Sequence, residues 1–271
     1  MRLSRLAISL FSLFVSLTSA QSMPTGGVLT RMTIVMSNYG SGTAFSIDVD
    51  NREYWITAKH LLNGAKHPPY GTITSKSASL SVLDPRAESA RWLPVKFSVL
   101  DVGKDIDVVV LAASTPLLQN PVPSPKAEFG SVMLGSDCEF LGFPSATGGA
   151  WKARFGEQTY WMPYVKHCFV SAVPAASNVV ILDGVNNPGF SGGPVVYHTG
   201  PDQQIVAVIS GMVTEPAEVI SSLAKKPTPP APHKAKVDEN SGFIIAYSID
   251  PAIEAIKKNP VGPLRHGGSP H

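Results

Sequence analysis

From Val28 onward the chain is written in short apolar runs broken by turn residues. Val28–Met36, Thr43–Asp48, Tyr54–Ala58, Leu80–Leu83, Trp92–Leu100 and Asp107–Ala112 are rich in β-branched and aromatic side chains, which suit a pleated, half-buried surface. Asn38-Tyr39-Gly40-Ser41-Gly42, Asp50-Asn51 and Asn63-Gly64 punctuate them as turns. A second set follows: Val132–Leu134, Glu139–Gly142, Tyr160–Val165, Cys168–Ala172, Val179–Leu182, Val195–Tyr197, Ile205–Val213 and Phe243–Ile249. Many short strands at this spacing predict an all-β chain built as antiparallel barrels or sandwiches. Helical patterning is confined to one turn at His60–Leu62 and to Pro251–Lys258. In the latter, Ala252, Ile253 and Ile256 share a face and Pro251 suits the first helical position.

Residues 114–130 separate the two sets. Pro116, Pro121, Pro123 and Pro125 remove backbone donors and stiffen the chain there, so the segment reads as an extended linker. Residues 225–240, with Pro227, Pro229, Pro230, Pro232 and four lysines, read as a solvated, mobile arm. Residues 259–271 read as a disordered tail. No internal repeat is evident.

Composition sharpens this picture at the N-terminus. Arg2 and Arg5, then the apolar run Leu6–Leu17, then Thr18-Ser19-Ala20, have the layout of a secretory signal peptide cleaved after Ala20, residues 1–20. The expected location is therefore periplasmic or extracellular. Without those arginines, twenty basic residues balance twenty acidic ones, so nothing electrostatic favours nucleic acid. No other run is long enough to insert in a membrane. The two cysteines, Cys138 and Cys168, lie in expected strands, and export would permit a disulfide between them; two buried thiols are the alternative. Neither cysteine has a metal-ligand spacing, and the seven histidines form no zinc pattern, so no metal or cofactor is expected.

Candidate chemistry centres on Asn187-Pro188-Gly189-Phe190-Ser191-Gly192-Gly193-Pro194. A serine on a glycine-rich turn presents its hydroxyl, and neighbouring backbone N–H groups can converge on one spot. His60 ends the run Trp55–Lys59, and Asp105 and Asp107 open a β-branched strand. A serine needs a base, and the base an orienting carboxylate. His60, Asp107 and Ser191 supply them in the order His, Asp, Ser, 47 and 84 residues apart.

These stretches resemble the trypsin/chymotrypsin-like serine peptidases, especially their bacterial secreted branch. The likeness rests on Gly40-Ser41-Gly42-Thr43-Ala44-Phe45, Thr57-Ala58-Lys59-His60, Asp107-Val108-Val109-Val110-Leu111, Leu141-Gly142-Phe143-Pro144 and Gly189-Phe190-Ser191-Gly192-Gly193-Pro194, and spans roughly residues 28–258. It implies two antiparallel β-barrels, residues 28–113 and 131–258, the second closed by the C-terminal helix. It implies a polypeptide substrate, cleaved through an acyl-enzyme, with His60, Asp107 and Ser191 catalytic and the amides of Gly189 and Ser191 as oxyanion hole. Asp107 fits the motif at every position, whereas starting from Asp105 would put a carboxylate where the family buries a small apolar residue. The motif further places Val185 at the base of the primary pocket and Ser210, Gly211 and Met212 along its wall, which implies a small or apolar preference. Phe190 stands where the animal digestive members carry an activating aspartate, and Lys59 replaces a small residue and is expected to point to solvent. Two other readings stay open: a peptidase-fold binding protein without turnover, and an α/β-hydrolase esterase, because Gly189–Gly193 also fits G-x-S-x-G.

Overall fold

The computed structural model describes residues 26–84, 89–118, 123–145, 150–155, 158–175, 177–199, 202–218 and 236–265. The expected signal peptide, residues 225–235 of the expected arm and residues 266–271 of the expected tail lie outside these residues. In chain order the elements begin with α1 (Gly26–Leu29), β1 (Met32–Ser37), β2 (Gly40–Val49), β3 (Arg52–Thr57), α2 (His60–Asn63), β4 (Ser77–Leu83), β5 (Trp92–Asp101) and β6 (Val109–Ala113). They continue with β7 (Lys126–Ala127), β8 (Asp137–Gly142), β9 (Trp151–Phe155), β10 (Gln158–Met162), β11 (Tyr164–Ala172) and β12 (Val179–Asp183). β13 (Pro194–Thr199), β14 (Asp202–Glu218), β15 (Lys236–Ser248) and α3 (Asp250–Lys258) complete the chain.

The first six strands close into a barrel in the order β1-β2-β3-β6-β5-β4, sealed where Val35 pairs with Val82. A second ring runs β13-β8-β11-β12-β15-β14 and returns to β13 at the Pro194–Val208 pair. The fold is thus two closed six-stranded antiparallel barrels with a short C-terminal helix. Closure removes the unpaired edges that would invite aggregation.

Side-chain parity explains why β3 and β6 read as unbroken apolar runs. Trp55, Val109 and Leu111 point into the first barrel with Val35, Leu80 and Phe97. Their neighbours Tyr54, Ile56, Val108 and Val110 point the other way, onto Leu141, Val208 and Tyr247 of the second barrel. Neither face meets water, so alternation disappears from the sequence. The seam between barrels is therefore an apolar core in its own right. α3 contributes Ala252 and Ile256 to it.

Several elements depart from expectation. Val28 lies in the helical turn α1, where Thr30 donates its hydroxyl to the Gly26 carbonyl (2.5 Å), and not in a strand. Val132–Leu134 is a turn that leaves Met133 and Leu134 exposed. β9 and β10 form an unforeseen hairpin outside the ring. β14 and β15 pair far beyond Val213, out to Glu218–Lys236. Within the expected linker, β7 pairs in parallel with β14.

Residues 259–265 correct the expected disordered tail. Arg265 pairs with Asp48 (3.0 Å) and with the fully buried Glu53 (2.7 Å). The Glu53 N–H donates to the Pro263 carbonyl (3.0 Å), so a buried carboxylate and a free edge draw the chain back over the first barrel. Among the described residues no helix is long and apolar enough to cross a membrane.

Candidate active site

His60 opens α2, a single turn that follows β3 directly. Gly64 ends the turn in the left-handed region (φ +73°), donating its N–H to the His60 carbonyl at 2.8 Å. Leu61, buried beside it, anchors the turn to the barrel wall. The imidazole is left partly exposed at the seam.

Asp107 lies just before β6 and is fully buried. Its Oδ1 accepts the main-chain N–H of His60 at 2.8 Å, and its Oδ2 sits 2.6 Å from His60 Nδ1. The Ser210 hydroxyl donates to the same Oδ2 at 2.5 Å. Three donors thus surround a carboxylate that has no access to water, which is what makes its burial tolerable. Asp105, the competing carboxylate, is exposed.

Lys59 corrects a sequence expectation. It does not reach solvent: its side chain is completely buried and its ammonium pairs with Asp101 at 2.8 Å. It also donates to the carbonyls of Gly103 and of Gly71 (3.3 Å). One cation therefore clamps the loop leading to Asp107 and the loop carrying Tyr70. Tyr70 in turn lies 3.4 Å from the Ser210 hydroxyl.

Ser191 comes from the second barrel, on a loop tied at nearly every carbonyl. The Val185 carbonyl accepts from Lys166, the Pro188 carbonyl from Ser145 N–H (2.9 Å), and the Gly189 carbonyl from the Thr43 hydroxyl (2.7 Å). The Ser191 carbonyl accepts from Thr43 N–H (2.8 Å). Gly189 sits at φ +103°, and an added Cβ would lie 2.2 Å from the Phe143 carbonyl oxygen. Only glycine fits there. The amides of Phe190, Gly192 and Gly193 donate to Asn187, Ile209 and Phe190. Among the described residues the amides of Gly189 and Ser191 have no acceptor.

The Ser191 hydroxyl donates to the Ser210 carbonyl at 3.0 Å, not to the His60 ring. Ser210 is thus more than a wall: it touches Ser191 through its carbonyl and Asp107 through its hydroxyl. The Gly211 carbonyl accepts from Asn186 Nδ2 (3.1 Å), and Met212 Sδ from Asn240 Nδ2 (3.1 Å). Val185, expected at the base of the primary pocket, is 57 % exposed, and its carbonyl accepts from Lys166. The neighbouring Asn186 is buried and bonded to Gly211. Sequence reasoning passed over Asn186, Asn240, Lys166 and Thr43; only Thr43, inside a quoted motif, left a trace.

His167 pairs with Asp137, and His198 with Glu139 at 3.0 Å. Cys138 and Cys168 face each other across β8 and β11 as buried free thiols. Burial pushes the Cys138 thiol up to about 12 and that of Cys168 higher still. Among the described residues no cluster of three or more His, Cys, Asp or Glu could hold a metal.

No protein-family model matches the chain, and no curated protein matches its sequence. Solved structures do. The chain is similar to a thermostable serine protease, AL20, from an extremophilic microorganism: TM-score 0.52, 15 % identity, over 85 % of this chain and 94 % of that one. It is also similar to the HtrA-type protease AlgW with tripeptide: TM-score 0.50, 17 % identity, over 87 % of this chain and 63 % of that one. At such identities the likeness is one of fold, and the fold is that of the chymotrypsin-like serine peptidases. Among the described residues the only parallel pairing is that of the two-residue β7 with β14, and the rest is antiparallel barrel, which contradicts the α/β-hydrolase reading.

Proposed function

We propose that this chain is an exported serine endopeptidase of the bacterial secreted type, acting on polypeptides through His60, Asp107 and Ser191. One observation carries the reading: a buried carboxylate grips His60 beside a serine loop whose two candidate oxyanion amides are unengaged. His60 Nε2 takes the Ser191 proton as Oγ attacks the scissile carbonyl. Asp107 stabilises the imidazolium that results, and the Gly189 and Ser191 amides receive the developing oxyanion. The imidazolium then protonates the leaving amine, and water hydrolyses the acyl-enzyme by the same steps. The fold shared with AlgW, whose structure holds a tripeptide, supports a peptide substrate.

One observation favours the silent-binder reading. The Ser191 hydroxyl points to the Ser210 carbonyl, so the serine-to-histidine hydrogen bond is not formed in this structure. On the peptidase reading the hydroxyl must turn toward His60 when substrate binds, and such bonds often tighten only then. Casein digestion by the wild type and by Ser191→Ala and His60→Ala tests the reading: activity lost in both variants supports it, and an inert wild type supports the binder.

A further inference from the structure

The loop Val185–Gly193 must hold two amides still, yet it contains Gly189, Gly192 and Gly193 and so lacks stiffness of its own. Outside contacts supply the stiffness. Thr43 and Ser145 fix its centre. Its start is held by Asn240, whose Nδ2 donates to the Asn186 carbonyl (2.7 Å), by Asn186, whose Nδ2 donates to the Gly211 carbonyl (3.1 Å), and by one lysine from β11. The Lys166 ammonium donates to the Val185 carbonyl and to Asn187 Oδ1 (2.7 Å). It lies 5.9 Å from the ring centroid of Phe140 and 5.7 Å from that of Phe190. These rings meet edge to face at 5.2 Å, and Phe190 immediately precedes Ser191. Among the described residues no carboxylate pairs with Lys166.

We infer that Lys166 is a positioning residue: its ammonium staples the first turn of the serine loop, so that the Gly189 and Ser191 amides keep a common aim. The inference rests on the peptidase reading above. An ammonium has three donors, and two of them here meet oxygens of residues two positions apart in the chain. The remaining coordination comes from the faces of two rings, one packed in the barrel core and one adjoining the nucleophile. The cation thus couples β11, the core and the loop at a single point. Partial burial lowers the Lys166 pKa from its ordinary value, in keeping with an ammonium that has exchanged some of its water for these contacts. Methionine would fill similar space against the rings but would leave the Val185 carbonyl and Asn187 Oδ1 without their donor.

The test compares wild type, Lys166→Met and Lys166→Arg for reaction with a fluorophosphonate probe and for kcat and KM on a peptide the wild type cleaves. Lys166→Met should lose on the order of 10²-fold in probe rate and kcat with KM little changed, as expected when oxyanion donors are misaimed. Lys166→Arg, which keeps the charge with a different fork, should recover part of the loss. Thermal midpoints of all three should stay close. An active wild type whose Lys166→Met variant keeps its rate overturns this inference alone. So does equal loss in both variants that tracks a falling midpoint. A wild type that neither labels nor cleaves overturns the peptidase reading, and this inference with it.

Discussion

Asp107 engages His60 with both of its oxygens, one on the main-chain N–H at 2.8 Å and one on Nδ1 at 2.6 Å. The pair of contacts fixes the ring's position and its rotation together. It also places the Nδ1 proton toward the carboxylate, which leaves Nε2 as the basic nitrogen.

Asp107→Asn should separate geometry from chemistry. An amide offers a single acceptor oxygen in place of two and can present N–H to the imidazole, favouring the wrong tautomer. Peptidase kcat should fall about 10⁴-fold while the thermal midpoint changes little. Steady-state kinetics beside a melting curve reads both.

Lys59→Met should act on stability first. It leaves Asp101 without its cation and the Gly103 carbonyl without its donor. The expected loss is on the order of 2 kcal/mol, less than for a fully enclosed pair because Asp101 keeps some solvent contact. For a chain of this size that is a midpoint drop of about 4–8 °C by calorimetry.

Thr43→Val keeps the shape of the side chain and removes its hydroxyl. The Gly189 carbonyl then loses its donor, and the Phe143 N–H loses its acceptor at 3.1 Å. Stability should fall by about 1–3 kcal/mol. The reaction rate with a serine-directed probe should fall as well, because the Gly189 carbonyl sits two residues before Ser191, the proposed nucleophile.

Cys138 and Cys168 should resist alkylation near pH 8 in the reduced native protein and react fully in denaturant, since burial holds both thiols above their ordinary range. The sign of the pH effect follows. The raised folded-state value stabilises the fold below the ordinary thiol pKa of 9.0, and that contribution fades as pH climbs toward about 12, so denaturant midpoints should decline over that window. Their opposed register also suits a bridge in oxidised protein, which non-reducing peptide mapping would detect as one linked Cys138–Cys168 peptide.

The readable parts of this molecule were those whose cause is local. Strand runs such as Trp55–Thr57 and Val108–Leu111 announce burial by composition, and the serine loop announces itself by its glycines. What stayed hidden depends on partners far along the chain. Lys59 looks like a surface lysine until Asp101, Gly103 and Gly71 are brought around it. Arg265 looks like part of a loose tail until Asp48 and Glu53 receive it. The outer half of the β14–β15 pair carries Glu215, Pro216 and Lys236, an exposed composition that no core demands. Val185 was placed by counting back from Ser191, and counting cannot tell which side of the backbone faces inward.

The central claim is that His60 activates Ser191. Its most direct measurement is active-site labelling with a fluorophosphonate probe, followed by peptide mapping, in wild type, His60→Ala and Ser191→Ala. The account predicts a single adduct on Ser191, formed orders of magnitude more slowly without the imidazole and not at all without the hydroxyl. Labelling that is absent from the wild type, or that persists undiminished in His60→Ala, would contradict it.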